Sequence, residues 1–208
     1  IFTILFIKTI MLQETLAEKI PVWQNDLKQV LDQNGDKVIS SVTVSQAIKG
    51  MRGVKSLICD TSTVSADKGL IIRGHSILDI TNILPEEAFY LLLTGDLPNK
   101  NQLSDLQNQL NEHRTVPDYV WNVLDSMPKK SHPMTMLSIA IQSMRVESIF
   151  VEKFNEGTPK KDYWKWVLED GLKLIGVLPT IAAAIYRKQN QLNEKIDPDQ
   201  NLDWGGNF

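Results

Sequence analysis

The chain has 208 residues, 42% of them hydrophobic and 23% charged, a balance that supplies a real core and excludes a disordered protein. Its formal net charge is -3, and its basic residues come at most in adjacent pairs such as Lys129-Lys130 and Lys160-Lys161, so no basic field is present to hold nucleic acid. A single cysteine, Cys59, cannot staple the fold and fits a reducing compartment.

Residues 1–10, IFTILFIKTI, are about half the roughly 20 apolar residues that a membrane span needs. They lack the basic start and cleavage site of a signal peptide, and the Arg- and Ser-rich character of a mitochondrial transit peptide. They are read as an upstream segment, with Met11 as the start; the alternative is a genuine apolar N-terminal segment. No membrane association is expected. Residues 12–33 read as a charged, weakly amphipathic helix ending near Asn34-Gly35. A short helix follows at 43–50, with Thr43 as its N-cap.

Residues 56–74 break the helical pattern. Ser56–Val64 and Leu70–Arg73 are β-branched and apolar, and Ser65–Gly69 separates them, which predicts a hairpin closed by Gly74. Cys59 is read there as a small apolar strand residue. Helices then return. One starts at Pro85-Glu86-Glu87, where the acidic residues favour the helix N-terminus, and ends at Gly95. Further helices are predicted over 99–113, from Pro117-Asp118 to before Pro128, and over 133–146, opened by Ser131-His132-Pro133.

In the last of these, Met134, Leu137, Ile141 and Met144 form a stripe, while Ser138, Ala140 and Ser143 permit close helix approach. The longest helix is predicted over 160–188. It carries one stripe of Tyr163, Val167, Leu174, Leu178, Ile181 and Ile185, and a second of Trp164, Leu168, Leu172 and Ile175. Pro179 is expected to kink or break it. Residues 193–207 read as loop, and Phe208 reads as a cut end.

Motifs for chemistry are mostly absent. His75, His113 and His132 lie too far apart in sequence for a spaced metal site, and read as surface or capping residues. No P-loop, dinucleotide-binding glycine pattern or nucleophile elbow occurs. Glu86-Glu87 and Glu169-Asp170 read as helix-dipole partners on solvated faces.

An ordered set of short segments carries a resemblance. Gly50-Met51-Arg52-Gly53-Val54-Lys55 is followed by Asp67-Lys68-Gly69, Ile72–Ile77, Leu84–Glu87, Leu91–Gly95 and Ser131–Met134. After these come Glu156-Gly157, Tyr163-Trp164, Leu178-Pro179, Ile185–Arg187 and Leu202-Asp203-Trp204. In this order, over nearly all of residues 12–208, they resemble citrate synthase of the mitochondrial type. The short connection at Leu84-Pro85 is more similar to bacterial members, which implies a cytoplasmic location, with the mitochondrial matrix as the alternative.

The resemblance implies an all-α fold, the first half of the family's large helical domain, with a small N-terminal β-hairpin; residues 11–208 would form that part. It implies an acyltransferase condensing acetyl-CoA with oxaloacetate at the entry to the tricarboxylic acid cycle, with no tightly bound cofactor. The family is a homodimer, and residues 133–146 and 163–187 are the candidates for that surface. The family's two catalytic histidines and its aspartate match no residue up to Phe208, so the chain by itself is expected to be inactive. Two positions match residues that touch CoA phosphates. They are Arg52, whose planar guanidinium suits phosphate oxygens, and Lys160, which matches an arginine that in the family reaches CoA bound mainly to the partner subunit, and where the lysine keeps only a point charge. The alternatives are 2-methylcitrate synthase, using propionyl-CoA, and a catalytically dead helical module that pairs with a full-length subunit.

Overall fold

The computed structural model describes residues 11–192 and 196–208; the reading of residues 1–10 lies outside them. The elements run α1 (Met11–Asn34), α2 (Val44–Ile48), β1 (Ser62–Ser65), β2 (Gly69–Ile72), β3 (His75–Ser76), α3 (Pro85–Thr94), α4 (Lys100–Glu112), α5 (Asp118–Ser126), α6 (Pro133–Ser143), α7 (Ile149–Asn155) and α8 (Tyr163–Gln189). Short 3-10 turns follow α6 and precede α8. The fold is helical with a small antiparallel sheet, as the resemblance implied. No helix among the described residues is long and apolar enough to cross a membrane.

The chain forms two compact units. One contains residues 11–13, Leu84–Glu87 and Pro98–Phe208; the other contains Glu14–Ile83 and Ala88–Leu97. In the larger, α6 packs on α8 and α5, and α4 and α7 also pack on α8. Val116, Val120, Leu124, Met136, Ala140, Val177, Ile181 and Ile185 form its core. Each large side chain there contributes about 1.5–3 kcal/mol by leaving water. The core face of α6 is Met136 and Ala140, while Met134, placed in the expected stripe, is 61% exposed. Gly176 lets α8 approach the end of α4. A Cβ there would lie 2.9 Å from both the His113 Cβ and the Leu110 oxygen.

Pro179 does not break α8, which runs through it to Gln189. The helix of 133–146 is shorter than expected, because its last turn tightens into a 3-10 turn. α7 is not among the helices predicted from the sequence. Asp170, on α8, holds its N-terminus, accepting from the Ser148 hydroxyl at 2.6 Å and from the Ile149 and Phe150 amides at 2.8 and 3.1 Å. The expectation of a solvated face therefore fails for Asp170.

In the smaller unit, β1 pairs with β2 from Ser62↔Ile72 to Ser65↔Gly69, and β2 pairs with β3. The first strand is shorter than expected because β2 ends at Ile72 and the chain turns at Arg73-Gly74, leaving residues before Thr61 no strand to pair with. Leu57, Ile58 and Cys59 therefore sit in exposed loop, not in a strand. The Cys59 thiol lies 3.1 Å from the Thr61 hydroxyl, a hydrogen bond that lowers its pKa.

Arg73 holds the left-handed conformation at φ 46°, costly for a residue with a Cβ. Its guanidinium is secured by the Leu92 carbonyl at 2.9 and 3.1 Å, by Asp60 at 3.3 Å and by the face of Trp23. Tyr90, Leu91 and Thr94 of α3 are buried here with Leu16 and Ile80.

Candidate functional site

Arg52 lies in the loop that leaves α2. Thr43 caps that helix with a full capping box, as expected. The Gln46 amide N–H donates to the Thr43 hydroxyl at 3.2 Å, and the Gln46 side-chain oxygen accepts from the Thr43 amide at 3.0 Å. The same Gln46 side chain donates through Nε2 to the Arg52 carbonyl at 3.3 Å, tying the loop back to the helix.

Gly50, Met51 and Gly53 all have positive φ, at 77°, 61° and 75°. Two are glycines, which adopt this conformation freely. Met51 is not, and backbone strain of this kind gathers at functional loops. Ser45, Gln46, Lys49 and Arg52 line a cleft of about 350 Å³. The Arg52 side chain is exposed and makes no hydrogen bond or ion pair among the described residues, which leaves its guanidinium open to an anion there.

Lys160 opens the 3-10 turn Lys160–Asp162 before α8 and is exposed. Its neighbours are fixed by other contacts. Asp162 accepts from the Lys165 ammonium at 2.8 Å, which lowers its pKa. Phe150, Phe154 and Tyr163 form an aromatic cluster with ring centroids 5.2–6.1 Å apart. Lys160 itself has no carboxylate partner among the described residues. Arg52 and Lys160 fall in different units, and neither unit holds both.

The histidines have local structural roles. His132 N-caps α6, its Nδ1 accepting from the Met134 amide at 3.2 Å. His113 is half-buried at the end of α4, and burial lowers its pKa. His75 belongs to β3. Among the described residues no His, Cys, Asp and Glu group has the arrangement to hold a metal ion.

A polar set that the sequence did not reveal organises the end of the chain. Glu86, read as part of a solvated helix start, is 3% exposed. Its Oε1 accepts from the Trp204 amide at 2.9 Å, while its Oε2 has no partner among the described residues. Arg114 is buried, which lowers its pKa against the opposing charges of Glu86, Asp203 and Asp199. It donates to the Asp199 and Leu202 carbonyls at 2.8 and 2.9 Å. These contacts hold residues 199–204 in place.

A family model described as citrate synthase, C-terminal domain, matches residues 50–208. Mitochondrial citrate synthase of Saccharomyces cerevisiae is 37% identical over 207 residues, covering 95% of this chain and 43% of the yeast protein. That of Tetrahymena thermophila is 38% identical, covering 95% of this chain and 46% of its own length. The crystal structure of citrate synthase from Pyrobaculum aerophilum superposes with a TM-score of 0.69 at 26% identity, over 82% of this chain and 44% of that one. The chain thus spans less than half the length of the relatives it matches. With the helical fold, the ordered motifs and this match over three-quarters of its residues, the chain belongs to the citrate synthase family.

Proposed function

We propose that this chain serves a citrate synthase, an acyltransferase that condenses acetyl-CoA with oxaloacetate to give citrate and CoA. The observation that carries the reading is the family match over residues 50–208, which includes the loop bearing Arg52. In the family's chemistry an aspartate removes a methyl proton of acetyl-CoA, one histidine stabilises the enol and the other polarises the oxaloacetate carbonyl. These groups have no counterpart among residues 1–208, so the chain's own contribution is to binding. Arg52 supplies a fork of positive charge to CoA phosphates, and Lys160 supplies a point charge to CoA bound mainly to the partner subunit. No tightly bound cofactor is needed.

The assembly is proposed to be a homodimer. The yeast and Tetrahymena relatives are both named as mitochondrial, which favours the mitochondrial matrix over the cytoplasm.

The test is an assay of thiol release by the full-length protein with oxaloacetate and either acetyl-CoA or propionyl-CoA. Faster turnover of acetyl-CoA is expected; a preference for propionyl-CoA makes the protein a 2-methylcitrate synthase, and no turnover of either leaves a pairing module. Arg52→Gln is expected to raise KM for acetyl-CoA about tenfold with kcat little changed, as for loss of one charge-assisted contact made equally in ground and transition states.

A further inference from the structure

In a chain of net charge -3, residues 37–59 hold Lys37, Lys49, Arg52 and Lys55 and no carboxylate. Two of these cations, Lys49 and Arg52, line the same cleft beside Ser45 and Gln46. Both side chains are exposed and neither forms an ion pair among the described residues. The backbone under them is tied down. The capping box fixes the first turn of α2, Gln46 bonds the Arg52 carbonyl, and the Met51 amide donates to the Gln46 carbonyl at 2.8 Å. Met51 is held in the left-handed conformation between these bonds. Two like charges held on one short loop, with no carboxylate paired to them among the described residues, favour a ligand with more than one negative group.

We propose that Lys49 is a second phosphate-binding cation beside Arg52, so that the cleft takes a ligand carrying several phosphate charges. This rests on the reading of the loop as a CoA contact, and it adds a residue to that contact. The ammonium of Lys49 acts as a mobile point charge on its flexible stem, while the Arg52 fork fixes orientation. A purely structural role for Lys49 would be to offset the carbonyl end of α2; its loss would then lower stability and leave ligand affinity alone.

The test is calorimetric titration of the full-length protein with CoA, at low salt and at 0.15 M salt. Lys49→Gln is expected to weaken binding about five- to tenfold at low salt and to flatten the salt dependence. Lys49→Arg, equal in charge, is expected to stay within about twofold of the parent protein. Arg52→Gln is measured alongside. Weakening by Arg52→Gln with no effect of Lys49→Gln overturns the role of Lys49 and leaves the CoA reading standing. Weakening by Lys49→Gln alone supports Lys49 and removes Arg52 from the contact. No effect of either sinks both. A Lys49→Arg variant as weak as Lys49→Gln assigns the loss to structure and also overturns the proposal.

Discussion

The indole N–H of Trp204 donates to the carbonyl of Ile175 at 2.8 Å. In an uninterrupted helix that carbonyl would accept from the amide of residue 179, but residue 179 is proline and has no N–H. Trp204 thus supplies the hydrogen bond that Pro179 removes, and α8 passes through the proline with this acceptor satisfied.

Trp204→Phe keeps most of the ring and deletes the donor. It is expected to cost about 1–3 kcal/mol, the penalty for a part-buried carbonyl left without a partner. Urea unfolding measures it. In a Pro179→Ala background the new backbone N–H restores the helical bond, so the same substitution should cost clearly less. Equal losses in both backgrounds would show that the indole bond does not compensate for the proline.

Gly176→Ala places a methyl group 2.9 Å from the His113 Cβ and the Leu110 carbonyl and 3.0 Å from the His113 carbonyl. Two of these three atoms are backbone, which does not yield without moving α4 against α8. A destabilisation of about 1–3 kcal/mol is expected from such overpacking, read as a fall in melting temperature. An unchanged melting temperature would mean that the two helices separate freely.

His113 gives the fold a dependence on pH. Burial lowers its pKa in the folded chain, and Lys173 adds to that; Glu169 and Glu112 oppose it. Since the folded pKa lies below the unfolded value of about 6.5, the unfolded chain binds the proton more tightly. Stability is therefore full above pH ~6.5 and falls as the pH drops from there through the folded pKa. Unfolding free energies of the parent and of His113→Gln at pH 7.5 and 5.5 should show a steeper decline for the parent.

Local signals were legible in the sequence. Thr43 with Gln46, and Pro133 after His132, mark helix starts whose partners lie two or three residues away. The β1–β2 hairpin is equally local. What stayed hidden depends on distant partners. Glu86 looks like an ordinary acidic residue in a first helical turn until Trp204, 118 residues later, donates to it. The Ile175 carbonyl, which Pro179 leaves without a helical donor, is met by the same tryptophan. Arg52 was found through the Gly-Met-Arg-Gly resemblance, whereas Lys49 was not, because only the folded loop places it in one cleft with Arg52. Lys160 was placed by resemblance alone, and nothing in its surroundings distinguishes it from other exposed lysines.

The capping of α7 by Asp170 has a temporal consequence. A seven-residue helix is too short to persist on its own in water, and the carboxylate that anchors it lies 20–22 positions further along. As the chain leaves the ribosome, residues 149–155 emerge before the group that stabilises them. They stay unformed until α8 has been made far enough to present Asp170, so the order of synthesis is the reverse of the order of ordering in this part of the molecule.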